Sequence, residues 1–372
     1  MLSNIYQSKE LSQQVKPEFQ FRSGKHYFKI GVGYRYSTLL SEQRFPEKYT
    51  IDRKFDAVLP SMVYRAKWNK GKQFSLRYST SNRVPQIQQL QTVPNNSNPI
   101  RQYTGNEQLD QEYRHSISVN YSSFNLDNAS VFVVGLHGSY VQNYVAMGIQ
   151  NVESDTVIDN RIALQRGGQL YKPINLNGYF NTSLYASMDG EVAWLKSNLS
   201  VGVSVNYSRM PGLINDENNW SQLFGPQLTL GLNSNISEKI DFSIESASSF
   251  ENASYTLQSA MNNQFFRQTT SASLRLSIWK GLLLSGDVNH QLLAGVPEPF
   301  DNSILLCNIG AGYRFLKDQQ AELRLTIFDL FNNNGDVRRM IQDVYTDDYR
   351  TNVLNRYVML TFTYHLRGIH KK

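Results

Sequence analysis

The segment Leu199-Ser-Val-Gly-Val-Ser-Val-Asn-Tyr207 decides the fold class, because apolar and polar residues alternate along it without exception. A period of two is that of a β-strand with one apolar and one polar face. The same alternation occurs at residues 28–36, 228–232, 240–244, 271–278 and 323–327. No convincing amphipathic helix accompanies these segments. The chain is therefore predicted to be all-β.

The composition narrows the class of protein. The 372 residues are 40% hydrophobic, 18% charged and 12% aromatic, and no run approaches the roughly 18 to 20 apolar residues of a transmembrane helix. The single cysteine, Cys307, excludes a disulfide scaffold and a multi-cysteine metal site. The net charge of +6 is scattered, with one tight basic cluster at residues 367–372, which argues against a nucleic-acid partner.

The connections between the alternating segments differ in length in a regular way. Tight turns are expected at residues 22–25, 69–72, 189–190, 237–238 and 317–320, and long polar loops at 41–54, 84–112, 147–170, 209–219, 251–263 and 332–354. Short periplasmic turns and long extracellular loops are typical of an antiparallel transmembrane β-barrel. About fifteen strands are predicted, near 15–22, 26–40, 55–68, 73–83, 113–124, 129–146, 171–188, 191–208, 220–236, 239–250, 264–279, 281–294, 302–316, 321–331 and 355–367.

Within the predicted strands, every charged residue falls on one of the alternate positions that form the polar face of its strand. A Lys or Arg at the lipid midplane costs about 2–4 kcal/mol, which would enforce this segregation. A soluble β-sandwich also segregates charge, but its strands are shorter and its loops need not alternate in length. The residues predicted to face the lumen are Lys29, Arg35, Arg65, Lys67, Arg77, Arg275, Arg314 and Arg324, together with Asp241, Glu245, Asp287 and Glu322.

Tryptophans are expected at the membrane interfaces. Trp68 and Trp279 lie next to tight turns and Trp220 follows a long loop, as residues of an interfacial girdle do. Alternation along its strand would place Trp279 on the polar face, unless a β-bulge shifts it to the lipid face. Packing at the edge of a core is the alternative interpretation for all three.

The direction of the last strand indicates which part of a barrel protein the chain forms. Its lipid face would carry Val358, Leu360, Phe362, Tyr364 and Leu366. Counting back from a periplasmic end places the start of strand 15–22 outside the cell, whereas complete bacterial barrels have an even strand number with both ends periplasmic. The first ten residues contain no apolar core of a secretory signal. Residues 1–372 are therefore expected to be the C-terminal part of a larger barrel protein, without its signal peptide.

Three segments resemble a known family, the TonB-dependent receptors with an outer-membrane β-barrel. The first is Arg77-Tyr-Ser-Thr-Ser-Asn-Arg-Val-Pro85 with the downstream loop positions, the second is Asp329-Leu330-Phe331-Asn332, and the third is the closing strand, which is similar to the family's assembly signal. Members often have proline where this chain has Glu107 and Gln111. The loop positions that carry the resemblance are Arg83, Pro85, Leu90, Pro94, Asn98, Pro99, Gly105, Asn106, Leu109 and Glu112.

The resemblance implies a 22-stranded barrel around an N-terminal plug. About seven strands, the plug and the segment that contacts TonB would then lie upstream of this chain. Physically, Pro85 would end a strand because it cannot donate to the ladder, Gly105-Asn106 would supply a turn with positive φ, and Glu112 would restart pairing. A purely structural role is the favoured interpretation of the loop motif.

Catalytic and metal chemistry finds little support. Asp287 and His290 are three apart on a strand and so face opposite ways, and His26, His115, His137 and His365 share no ligand spacing. Asp336, Asp343, Asp347 and Asp348 offer oxygen ligands for calcium, but a solvated acidic loop is favoured. The glycines at 31, 33, 310 and 312 lie within strands, which excludes a phosphate-binding turn, and Cys307 is expected to be inert.

The sequence thus predicts an outer-membrane receptor for energised uptake of a large nutrient, with no enzymatic activity and no cofactor. Its expected partners are the lipid bilayer, the barrel-assembly machinery, TonB through the upstream plug, and a nutrient that no loop motif identifies. The basic lumen residues are hypothesised to face the plug or to favour anionic solutes. A non-transporting adhesin or structural barrel and a soluble β-sandwich binding protein are the alternatives.

Overall fold

The computed structural model describes residues 5–45, 48–68, 71–125, 129–158, 162–234, 236–237, 239–279, 281–295, 302–334, 336–341, 346–351 and 353–366. Within them lies one short helix, α1 (Ile87–Leu90), with 3-10 turns at Ala193–Leu195, Ser259–Met261 and Lys317–Gln319. The strands are β1 (Ile5–Val15), β2 (Glu18–Ser23), β3 (His26–Phe45), β4 (Tyr49–Lys67), β5 (Gln73–Arg83), β6 (Arg101–Tyr103), β7 (Glu112–Asn125), β8 (Ser130–Gln142), β9 (Tyr144–Asn151), β10 (Thr156–Ile158), β11 (Ile162–Leu164), β12 (Gln169–Leu176), β13 (Tyr179–Val192), β14 (Ser197–Ile214), β15 (Glu217–Ser234), β16 (Ile240–Tyr255), β17 (Asn263–Trp279), β18 (Leu282–Ala294), β19 (Asn302–Phe315), β20 (Ala321–Phe328), β21 (Asp336–Ile341), β22 (Thr346–Thr351) and β23 (Tyr357–Tyr364).

One 19-stranded sheet forms the wall of the molecule. Its backbone is an antiparallel meander from β1 and β2, which both pair with β3, through β4, β5, β7, β8 and β13–β20 to β23. The pair β9–β12 continues the β8–β13 hairpin, so the described residues form fifteen wall strands, the number predicted. The hairpins β10–β11 and β21–β22 and the short strand β6 belong to the connections.

The two faces of this sheet differ in chemistry. Large apolar side chains such as Val58, Leu184, Val203 and Leu230 are exposed on one face, whereas a soluble sandwich would bury such a face against a second sheet. Their neighbours on the other face are mostly small, polar or charged. An exposed apolar face is what hydrocarbon requires of a barrel strand. Among the described residues, no helix is long and apolar enough to cross a membrane.

The loops predicted at 41–54 and 209–219 are wrong. β3 and β4 remain paired up to Gln43 and Tyr49. β14 and β15 remain paired up to Ile214 and Glu217, so a two-residue turn closes them. Asn215 and Asp216 in that turn have φ of 48° and 66°, the conformation of a type I′ hairpin turn that Asn and Asp tolerate. These outer ends lie above the bilayer, where neither face must be apolar, and the alternation is therefore lost.

Other predicted boundaries also need correction. The first strand begins at Ile5 rather than at 15, and the segments predicted at 129–146 and 171–188 are each divided, at Asn143 (φ 53°) and Gly178 (φ 101°). The turn expected at Asp189-Gly190 lies instead after Val192, because Lys196 adopts the left-handed conformation that ends the 3-10 turn there. The loop expected at 251–263 is confined to residues 256–262.

Tryptophans occupy the rims of the outer face. The β17–β18 ladder shifts register between Ser277 and Trp279, and this irregularity is the bulge that Trp279 needs to reach the apolar face, where its side chain is 72% exposed. Trp194, which the sequence analysis passed over, is exposed in a periplasmic turn. Trp220 lies under the Arg209 guanidinium, 3.6 Å from its ring centre.

Candidate functional site in the barrel lumen

The loop between β5 and β7 folds inward over the wall. Leu90 and Leu109 are fully buried against Leu39, Ile51 and Phe55, which point from β3 and β4 to the polar side of the sheet. These wall residues lie near the extracellular ends of their strands. The cluster therefore fixes the loop at the outer mouth of the lumen.

Hydrogen bonds fix the same loop to the wall on both sides. Arg53 donates from its guanidinium to the carbonyl oxygens of Glu107 and Leu109, the latter at 3.0 Å. Asn106 donates to the carbonyl of Pro173 at 3.0 Å. The loop thus bridges β4 and β12 across the intervening strands.

Gly105 is required for a different reason from the one predicted. It does not adopt a positive φ; instead, a Cβ there would lie 2.2 Å from the carbonyl oxygen of Gln91. Asn106 forms the turn, because its side-chain oxygen accepts the amide of Gln108 at 3.0 Å. As predicted, β5 ends at Arg83 before the buried Pro85, and β7 restarts at Glu112, whose carboxylate accepts the amide of Val145 at 2.9 Å.

The remaining loop-motif positions lie nearer the surface. Asn98 accepts the amides of Ile100 and Arg101 at 2.9 and 3.3 Å, and Pro99 beside it is exposed. Pro94 is half-buried.

The near-terminal motif shapes a turn. Asp329 is 1% exposed, and its carboxylate accepts the amides of Asn333 and Asn334 at 2.9 and 3.2 Å. The side chain of Asn332 accepts the amide of Arg356, whose guanidinium donates to the carbonyl of Leu330. The motif therefore ties the end of β20 to the segment that enters β23. Phe331 is exposed.

The closing strand β23 pairs with β20. Val358, Leu360, Phe362 and Tyr364 pair with outward residues of β20 and are exposed. Leu366 is 88% exposed but lies beyond the end of β23.

Of the loop carboxylates, Asp343 lies outside the described residues, as do the side chains of Asp336, Asp347 and Asp348.

Cations dominate the polar face of the N-terminal strands. Lys29 pairs with Glu18 at 2.7 Å, and the guanidinium of Arg35 donates to the side chains of Gln14 and Asn82. Arg65 and Arg22 lie over the ring of Tyr27 at 5.7 and 5.4 Å. In the described part of the chain, no carboxylate lies within 4 Å of Arg65, Lys67 or Arg77.

The C-terminal strands carry paired charges on the same face. Glu322 is 7% exposed and accepts from Arg314 at 2.8 Å and from Arg324 at 2.7 Å. Gly312 leaves space for this cluster, since a Cβ there would lie 3.3 Å from the Glu322 carboxylate. Arg275 pairs with Asp241 at 3.9 Å, with both side chains largely exposed.

A polar cavity of about 300 Å³ opens between β5, β7, β8 and β13 on this face. Of the residues that line it, only Arg77 was a predicted site residue. Arg114 stands at the start of its strand, and the histidines were considered only as metal ligands. Arg77 was predicted to face the lumen. The polar residues that line the cavity include Arg77, Arg114, His137, Ser79, Ser116 and Asn181.

Beside the cavity, a tyrosine lies flat against the wall. A Cβ at Gly135 would lie 2.5 Å from the ring of Tyr185, so the glycine makes room for it. The Tyr185 hydroxyl donates to Asn120 at 2.8 Å, and its ring stacks on His137 at 5.7 Å. Glycine covered by an aromatic neighbour is a recurring device of β-barrels.

Metal or acid–base chemistry has no assembled centre here. Among the described residues, no three His, Cys, Asp or Glu side chains are grouped to hold a metal ion. His290 hydrogen-bonds Ser303 on the outer face, and Asp287 lies on the lumen side with Asn308.

An exposed apolar face, a charged inner face and an antiparallel meander define the class of a transmembrane β-barrel. More specifically, the chain belongs to the outer membrane protein beta-barrel family, whose model matches residues 4–289. It is thus a protein of the cell outer membrane, and the soluble-sandwich alternative is excluded.

Solved structures of the ferric enterobactin receptor from Pseudomonas aeruginosa are similar to this chain. One mutant matches at 8% identity and a TM-score of 0.30, and another, in complex with enterobactin, at 9% and 0.31. Both alignments cover 96% of this chain and 70% of the receptor. No curated protein matches the chain.

Proposed function

We propose that this chain is the barrel portion of a TonB-dependent receptor that takes up a large nutrient, without enzymatic activity. The supporting observation is the loop motif: Leu90, Leu109 and Gly105, which carry the resemblance to that family, hold the loop folded inward over the outer mouth. A loop fixed there narrows the entrance and offers a surface to an incoming solute. An adhesin would need its loops to project away from the cell.

The lumen wall supports the same function. Its cations on β4 and β5 lack carboxylate partners among the described residues, and a plug in the preceding part of the protein would supply polar partners for them. TonB would then act through that plug, and the closing strand would be recognised by the barrel-assembly machinery. Each of these partners belongs to the proposal.

Growth on a panel of nutrients tests the proposal. A strain lacking the gene and a strain lacking TonB should both lose growth on one large nutrient, and the full gene should restore it only when TonB is present. The matched variants are Leu109→Ala, which loosens the loop, and Leu257→Ala, at an exposed leucine in the loop between β16 and β17. Adhesion lost in the gene deletion with nutrient uptake intact would favour the structural-barrel alternative instead.

A further inference from the structure

We infer that the cavity between β5, β7, β8 and β13 is a binding site for an oxyanion, a phosphate or a carboxylate. This deepens the proposed function, because it names the chemistry that the lumen wall recognises. The observation behind it is the juxtaposition of Arg77 and Arg114 in one cavity of about 300 Å³.

The pairing register places the two arginines on the face that lines this cavity. Arg77 pairs with Ser118, and Arg114 pairs with Ser81, so both arginines stand on the lumen face of adjacent strands. Arg114 is held by Ser139, to which it donates at 3.3 Å, and lies over the ring of Tyr179 at 5.6 Å. Arg77 is exposed to the lumen.

Among the described residues, no carboxylate forms an ion pair with Arg77 or Arg114, and the acidic residues of β13, Asp189 and Glu191, lie at the opposite end of that strand from Asn181. β5, β7 and β8 contain one acidic residue, Glu112, and its carboxylate is already engaged by the amide of Val145. Two like charges in one cavity repel each other, and that repulsion is relieved when an anion binds between them.

The other lining groups suit an oxygen-rich anion. Ser79 and Ser116 supply hydroxyl groups, Asn181 an amide and His137 a ring nitrogen, all of which donate hydrogen bonds. The planar fork of arginine matches the two oxygens of a phosphate or carboxylate. A free anionic solute or a carboxylate side chain of the plug would supply the same chemistry.

Calorimetric titration of the detergent-solubilised, heat-modifiable protein tests the site, with inorganic phosphate and glutarate as probes. The wild type should bind at least one probe saturably. Arg77→Gln and Arg114→Gln should each weaken that binding about tenfold, the value of one charged hydrogen-bond partner. Arg77→Lys should weaken it less, because the charge remains and only the fork is lost. Arg275→Gln, which removes an exposed paired arginine, is the control and should bind as the wild type does.

Tighter binding of phosphate would point to a free solute, and tighter binding of glutarate to a carboxylate of the plug. Failure of both probes to bind, or binding by the two glutamine variants as tight as that of the wild type, would overturn the site. These measurements do not involve TonB. Saturable binding without TonB-dependent uptake would therefore refute the transport proposal alone, and uptake without binding would refute the site alone.

Discussion

The two halves of the lumen wall handle charge differently. On β16–β20 each arginine has a carboxylate partner: Arg275 has Asp241, Arg267 has Glu251, and Arg314 and Arg324 share Glu322, whereas the acidic residues Glu245 and Asp287 form no ion pair among the described residues. On β4 and β5, Arg65, Lys67 and Arg77 have no carboxylate within 4 Å among the described residues. A paired charge is satisfied within the wall, whereas an unpaired one is available to water, a solute or a plug.

The outer mouth shows the same division. Above β3 and β4 the long loop folds inward onto an apolar cluster, while β14 and β15 end in the two-residue turn Asn215-Asp216. The N-terminal half therefore combines a fixed loop with unpaired cations, and the C-terminal half is a self-contained scaffold. Under the proposed function, recognition would take place on the N-terminal half.

The largest effect is expected where the loop is anchored. Leu109→Ala or Leu90→Ala removes a fully buried side chain, which should cost about 2–5 kcal/mol and expose residues 84–112 to protease. Limited proteolysis and denaturant unfolding in detergent measure this. Leu257→Ala, at a side chain 41% exposed, should stay within about 0.5 kcal/mol. If Leu109→Ala and Leu257→Ala were equally sensitive to protease, the loop at residues 84–112 would be no more dependent on its buried leucines than the other loop is on Leu257.

A lipid-facing substitution should be damaging in either half. Val58→Arg on β4 and Leu230→Arg on β15 place a cation on the exposed apolar face, and each should cost about 2–4 kcal/mol near the midplane. Thr229→Arg, one residue away on the opposite face, is the matched control and should fold normally. Folding yield in lipid vesicles reports the difference. A control as damaging as Leu230→Arg would reverse the assignment of the two faces.

The paired half should respond to loss of its central carboxylate. Glu322→Gln leaves Arg314 and Arg324 without a counter-charge, and we expect a loss of about 1–2 kcal/mol because both arginines are partly exposed. Glu18→Gln on the N-terminal side removes a more exposed partner of Lys29, so its unfolding midpoint should fall less. The reverse order in urea titrations would contradict the division between the halves.

The smallest effect is expected at the exposed pair. Asp241→Asn breaks a contact of 3.9 Å between side chains that are 66% and 71% exposed. Solvent screens such a pair, so the free energy of unfolding should change by less than about 0.5 kcal/mol. A larger loss in the same titration would show that this charge pair contributes to the wall more than its exposure suggests.

The part of the fold that hydrocarbon surrounds could be predicted from the sequence. There, residues such as Val201, Val203 and Val205 must be apolar and their neighbours need not be, so the period of two is strict. Above the bilayer, water reaches both faces, and the extended ends of β3, β4, β14 and β15 show no such period. Their pairing is specified by turn residues such as Asn215 and Asp216, which the sequence analysis placed in a loop.

The candidate site was less accessible from sequence. Parity placed Arg77 on the polar face, but its companions Arg114, His137 and Asn181 come from three other strands, and only the register between those strands brings them together. The role of Gly105 could not be predicted from the sequence for a similar reason. Glycine is needed there because the Gln91 backbone approaches it closely, and no local turn signal reveals that contact.

The orientation of Tyr185 has a bearing on how wide the passage is. Because Gly135 lacks a side chain, the ring rests along the wall and is fastened there by Asn120. Gly135→Ala would place a Cβ 2.5 Å from that ring, so the ring would have to move off the wall toward the lumen. One missing methyl group thus keeps an aromatic ring flat against the inner wall.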